Sequence, residues 1–156
     1  MLTLLSENDP RLKTVSDDLE QFDDESMKLI GEMNNIMLAH KGIAMAAPQV
    51  GWFKRVITLT FEPYVIVNPV IDSASGKMKF TEGCLSFPNL WLDTERASIV
   101  TITYDTPTER GVTTTFRGMQ AIVIQHEIDH LNGILFTSKV NPIRLALAIK
   151  KRAGRS

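Results

Sequence analysis

The stretch Gln125 to Phe136, QHEIDHLNGILF, concentrates the residues of this chain with the most chemistry in them. His126 and His130 stand four apart, about one helical turn, with Glu127 between them. That arrangement suits two imidazole metal ligands and an adjacent base on one helix. Two ligands do not complete a catalytic site: a hydrolytic zinc or iron centre takes a third protein ligand and keeps one position open for water. In zinc peptidases of the extended type a third histidine would fall at position 136, but that residue is Phe136, although Gly133 matches the pattern. A second type takes a glutamate from a later helix, and no Asp or Glu follows Asp129. The third ligand must therefore lie upstream, where Cys84, His40 and the earlier carboxylates are the candidates.

Cys84 is the strongest of these on chemistry, because a thiolate binds zinc or ferrous iron well and this is the one cysteine in the chain. It lies in Glu82-Gly83-Cys84-Leu85-Ser86, flanked by Phe80 and Pro88, where a strand gives way to a glycine-containing turn. Taken alone, a single cysteine is more often a small buried hydrophobe, and only the histidine stretch favours a ligand here. His40 follows a helix and precedes Lys41-Gly42, where the helix dipole favours a histidine in any case.

The elements that must position these residues follow from the apolar periods. Asp23 and Asp24 precede Met27, Ile30, Met33, Met37 and Leu38 at helical spacing, which predicts a capped helix with a glycine stop at Lys41-Gly42. Residues 56–60, 64–67, 98–104 and 112–116 are short, β-branched and bounded by Pro, Gly and Asp, as strands are. Between Gly118 and Gly133 the helical period returns and sets Met119, Ile122, Val123, His126 and His130 on one apolar face. Asn141-Pro142 opens a last helix to about Arg152. The order helix, strands, helix indicates an α+β fold rather than alternating βαβ units.

The chain has 156 residues, 44% hydrophobic and 22% charged, which fits one globular domain over residues 1–156, with 141–156 as a basic C-terminal helix and tail. A net charge of −1 gives no overall field toward DNA or a membrane surface. The opening MLTLLSENDPR lacks the basic region of a signal peptide and no apolar run approaches a bilayer span, so a cytoplasmic protein is expected.

Three motifs carry a resemblance: GIAMAAPQ (Gly42 to Gln49), EGCLS (Glu82 to Ser86) and QHEIDH (Gln125 to His130) resemble those of peptide deformylases, in that family's order and spacing and over nearly the whole chain. The resemblance implies small antiparallel or mixed sheets around a central metal-binding helix, with a helix near each end of the chain. It implies Cys84, His126 and His130 as ligands of one divalent ion, expected to be Fe2+ with Zn2+, Ni2+ or Co2+ as substitutes. Glu127 becomes the proton carrier, and the Gln49 side chain with the Leu85 backbone N–H the oxyanion donors. The implied substrate is a nascent peptide beginning with N-formylmethionine, hydrolysed to formate and a free amine by a monomeric enzyme. Ile43, Ala44 and Gly83 would line its main chain, with Met119, Ile122 and Val123 as candidates for the methionine pocket, unless that stripe is simply core.

Glu82, Arg96 and Asp129 are expected around the ligands, Asp129 orienting a histidine and Arg96 pairing with Glu82; the plainer alternative is a surface ion pair. Ala44 replaces a second glycine of the first family motif, which matters if that residue needs a positive φ. Trp91 stands where many members have a polar or basic residue. Lys139, Arg144, Lys150, Lys151, Arg152 and Arg155 make the end of the chain basic, which helix dipoles favour and which would also suit a weak contact with ribosomal RNA. Two other functions stay open: a minimal zinc endopeptidase, which needs His40 or an early acid as ligand, and a non-catalytic metal- or peptide-binding relative. Glu127 weighs against the latter, since a structural site needs no base.

Overall fold

A computed structural model describes residues 1–154; Arg155 of the basic tail lies outside the described residues. Helix α1, Asp24–Ala39, starts where the Asp23 side chain accepts from the Ser26 N–H at 2.8 Å, with Asp24 and Glu25 in its first turn. Its buried stripe is Ile30, Met33 and Met37. The stop is not the glycine expected: Lys41 takes the left-handed conformation (φ 57°), and the N–H groups of Lys41 and Gly42 return to Leu38 and Met37. Gly42 serves a close approach instead, since a Cβ there would lie 2.6 Å from Leu85 Cδ1.

Five strands, β1 (Ala44–Ala46), β2 (Val56–Leu59), β3 (Val65–Ser75), β6 (Ile99–Asp105) and β7 (Val112–Arg117), form one antiparallel sheet in the order β1-β2-β3-β6-β7. Strand β3 outruns its expected end at Asn68-Pro69. The register between β3 and β6 shifts between Val67 and Val70, and Asn68 takes a φ of 50° in that irregularity, which admits the proline to a strand. The Asn68 amide also accepts from Leu19 N–H and donates to Leu19 C=O, both at 2.9 Å, tying the N-terminal arm to the sheet.

Strands β4 (Met78–Cys84) and β5 (Phe87–Arg96) form a separate antiparallel pair joined by Leu85-Ser86. Its inner residues Phe87, Leu90 and Leu92 pack with Leu12, Leu135 and Phe136. Helix α3, Pro142–Ala153, is capped by Asn141 and rests on this layer through Leu145 and Ala148. Among the described residues all strand ladders are antiparallel, and the parallel pairing is confined to a lone Asp17–Lys54 bridge.

Helix α2, Met119–Leu131, lies between the sheet and the β4–β5 pair. Ala121, Ile124, Ile128 and Leu131 pack onto Ile57, Ile66, Val100 and Ile102 of the sheet. Ile122, His126 and His130, also buried, occupy another side. The helix ends with Gly133 N–H bonded to His130 C=O and Ile134 N–H to Asp129 C=O. Gly133 has φ 71°, and a Cβ there would meet the Lys13 carbonyl oxygen at 2.5 Å. The glycine that matches the peptidase pattern is thus a helix stop pressed against backbone. Gly133→Ala, strained in φ and unable to displace backbone cheaply, is expected to lower stability by about 2 kcal/mol or more in urea denaturation.

Candidate metal centre and active site

Cys84 comes from the end of β4, and His126 and His130 from successive turns of α2. Their ligand atoms all lie within 4.8 Å of one another, and among the described residues no other group of His, Cys, Asp and Glu side chains gathers in this way. Cys84 Sγ is 3.3 Å from His130 Nε2. Bonds of about 2.0–2.3 Å at tetrahedral angles set ligand atoms roughly 3.3–3.8 Å apart, so a thiolate and two imidazoles here fit a zinc- or iron-sized ion after little adjustment. His40 stays at the C-terminus of α1, exposed, with Nδ1 against the Ile36 carbonyl at 2.9 Å, and does not join the cluster.

A buried ion network stands behind His126. His126 Nδ1 donates to Glu82 Oε1 at 2.7 Å, which leaves Nε2 as the ring nitrogen available to a metal. Arg96 donates to both oxygens of Glu82, from Nε at 2.6 Å and Nη2 at 3.0 Å, and from Nη1 to Asp129 at 2.7 Å. Thr94 donates its hydroxyl to Glu82 Oε2 as well. The carboxylate that orients a histidine is therefore Glu82 and not Asp129, whose partners are Arg96 and Lys139. The surface-pair alternative fails for Arg96 and Glu82, whose side chains are 5% and 3% exposed. Burial alone would raise the Glu82 pKa, but the bonds from His126, Arg96 and Thr94 and the guanidinium charge hold it at about 2.

The two histidines are driven apart electrically. Burial opposes charge on His126, yet the Cys84 sulfur, the Glu82 carboxylate and the nearby Glu127 outweigh it and raise its pKa to about 10. Burial and the positive charges of His126 and Arg96 push His130 well below its ordinary value. Glu127 is buried, and burial lifts its carboxyl to about 7 against the pull of His126 and Arg96. Its Oε2 has no hydrogen-bond partner, and neither has His130 Nδ1.

Gln49 sits in a 3₁₀ turn, Ala47–Val50, directly after β1. Its Oε1 accepts from Ala46 N–H at 2.9 Å, which turns Nε2 toward Cys84 Sγ (3.5 Å) and Ser86 Oγ (3.4 Å). The contact to Ser86 is long for an oxygen acceptor and sulfur is a weak acceptor, so neither is a strong bond. Gln49 lines a cavity of about 670 Å³, together with Ile43, Ala44, Gly83, Leu85, Ile122, Val123, His126 and Glu127. Met119 is not in this lining: as the first residue of α2 it lies more than a full turn from His126 and is exposed. Ala44 is absent from the residues with positive φ and lies in β1, so the methyl in place of glycine meets no backbone strain.

The comparisons with known proteins decide the family. The polypeptide deformylase family model matches residues 1–146. This chain belongs to the peptide deformylase family. A peptide deformylase of Neisseria meningitidis is 36% identical over 162 residues, covering 97% of this chain and 96% of the relative. The structure of a Synechococcus elongatus peptide deformylase in complex with actinonin superposes with a TM-score of 0.91 at 37% identity, covering 97% of this chain and 86% of that one. A peptide deformylase of Acinetobacter baumannii with Met-Ala-Ser bound gives 0.83 at 34% identity, with 90% and 98% covered.

Several site residues escaped the sequence reading. Ser86 and Thr94, both buried, bond to Gln49 and Glu82, and the Phe136 ring lies 5.5 Å from that of His126. The alternation Leu90, Leu92, Thr94, Arg96 along β5 was the available signal, since an inward arginine requires a carboxylate and an inward threonine an acceptor. Arg96→Leu leaves Glu82 and Asp129 charged without their guanidinium. The expected loss is about 3–5 kcal/mol in urea denaturation, with metal affinity weakened about 10- to 100-fold by competition with a chelating dye.

Proposed function

We propose that this chain hydrolyses the N-formyl amide of peptides beginning with formylmethionine, releasing formate and a free amino terminus. The observation that carries the proposal is the convergence of Cys84, His126 and His130 beside a buried glutamate with an unpartnered oxygen, with Cys84, His126 and Glu127 lining a cavity next to β1. Cys84 Sγ and one Nε2 from each histidine would hold a divalent ion, which when bound supplies Lewis acidity and makes water acidic enough to lose a proton near neutral pH. Fe2+ is the expected ion by resemblance, with Zn2+, Ni2+ and Co2+ as substitutes, because this donor set suits all of them.

Glu127 takes the proton of the attacking water. The water oxygen bonds to the formyl carbon, and negative charge develops on the formyl oxygen. Gln49 Nε2, aimed by Ala46, and the Leu85 N–H donate to that oxygen. Collapse breaks the carbon–nitrogen bond, and Glu127 returns its proton to the departing methionine nitrogen. Glu127 is suited to both transfers because it is buried beside the three ligand candidates with one carboxylate oxygen unpartnered.

Substrate main chain has a matching partner in β1, which pairs with β2 on one side only. An extended peptide added along Ile43 and Ala44, facing Gly83, would put the methionine side chain against Ile122 and Val123. The protein is proposed to act as a cytoplasmic monomer. Contact with ribosomal RNA through the basic C-terminal helix belongs to the same reading, and co-sedimentation with ribosomes that survives removal of the residues after Pro142 counts against it.

Anaerobically purified, iron-loaded protein is expected to release formate from formyl-Met-Ala-Ser and to leave internal peptide bonds intact; absence of formate would refute the proposal. Glu127→Ala should keep its metal and lose about 10²- to 10⁴-fold in kcat, and Gln49→Leu about 10²- to 10³-fold. Elemental analysis of Cys84→Ala should find the metal lost.

A further inference from the structure

A second cavity, of about 1140 Å³, opens beside the first, between the outer face of the β4–β5 pair and helix α3. The two adjoin: Phe80, Thr81, Asn89 and Trp91 line both. Trp91 marks the junction. Its ring lies over Gly83, where a Cβ would come within 2.5 Å of Cζ3, so this glycine makes room for the indole, which is 56% exposed. An exposed aromatic plate between two cavities is a surface over which an extended chain can pass from one to the other.

The second cavity differs in charge from the first. Its lining includes Ala148 and the exposed Leu147 of α3, with Lys79, Arg144, Lys151 and Arg152 around them. Arg152 is held by Glu7 at 2.7 Å. Lys79, Arg144 and Lys151 make no ion pair among the described residues. The acid in the lining, Asp93, accepts from the Thr81 hydroxyl at 2.6 Å. Glu95 stands opposite Lys79 in the strand register without an ion pair to it. Against these four cations stand Asp93 in the lining, Glu7 on Arg152 and Glu95 across from Lys79, so the rim keeps a small net positive charge beside Trp91 and the catalytic cavity.

We propose that this basic groove is an extension of the peptide site, which receives the segment of the substrate downstream of its first residues and favours acidic side chains there. The proposal rests on the deformylase reading. Lys79, Arg144 and Lys151 act on the affinity of longer substrates, and Trp91 supports the chain where it leaves the catalytic cavity.

The test compares iron-loaded enzyme on formyl-Met-Ala-Ser and on formyl-Met-Ala-Ser-Gly-Ser extended by three Asp, three Ser or three Lys. The Asp peptide is expected to exceed the Lys peptide about tenfold in kcat/KM, through KM with kcat unchanged, and the advantage should shrink at high salt. Arg144→Glu with Lys151→Glu should abolish or reverse the preference while formyl-Met-Ala-Ser is turned over as before; Lys79→Gln should reduce it independently from the opposite wall. Equal rates on all three long peptides, with the tripeptide still deformylated, overturn the groove proposal alone. No formate from any peptide defeats the deformylase reading instead. If the double variant loses affinity for poly(U) RNA while the peptide preference is absent, the groove belongs to nucleic acid and the proposal fails.

Discussion

The structure depends on the ion pair between Glu82 and Arg96. Taking both charges out of water costs several kcal/mol per ion, and only a fully bonded arrangement offsets it. Glu82 has that arrangement: one oxygen accepts from His126 and Arg96, the other from Arg96 and Thr94. A carboxylate offers about four acceptor positions, and four donors meet it. Those donors come from β5 and α2, so one carboxylate on β4 joins the strand pair to the histidine helix. The same contacts fix the His126 tautomer and set β4 so that Cys84, two residues after Glu82, reaches His130.

Helix α2 can take part because its sides serve different layers. The residues at 121, 124, 128 and 131 belong to the sheet, while 122, 126 and 130 face the site. A helix buried on two sides cannot lean toward one neighbour without losing contacts with the other. The spacing of four between the histidines is then a rigid distance rather than one the metal must enforce.

Much of this was legible in the sequence because it rests on local spacing. The histidine pair follows from its spacing, the missing downstream ligands send the third one upstream where Cys84 is the strongest of several candidates, and the strands and helices follow from apolar period. The network behind them was legible only in part. Arg96 and Glu82 could be paired on paper, but which carboxylate reaches a histidine depends on the crossing of β4 over α2, and no spacing encodes that. Met119 shows the complementary failure. A helical face continues past the end of its burial, and the periodicity alone did not mark where β7 hands the chain to α2 and leaves the first residue in solvent. The α1 stop differs for a similar reason: Lys41 and not Gly42 takes the left-handed turn, and what crowds Gly42 is the Leu85 side chain, more than forty residues away.

The polar atoms left unpaired point to where the fold tolerates cost. Among the described residues they are Ser16 Oγ, Glu127 Oε2 and His130 Nδ1, and two of the three belong to the candidate site. A buried polar group without a partner costs about 1–3 kcal/mol. The two histidines of the candidate site are consequently held by different means: His126 by a charged hydrogen bond to Glu82, His130 by packing and the 3.3 Å contact of its Nε2 with Cys84 Sγ, with Nδ1 unbonded. In the proposed mechanism Glu127 cannot be given a permanent donor without losing the free oxygen that proton transfer would require, so its cost would be intrinsic to that chemistry. The fully bonded Glu82 network beside it supplies the rigidity that allows this one carboxylate to remain unsatisfied.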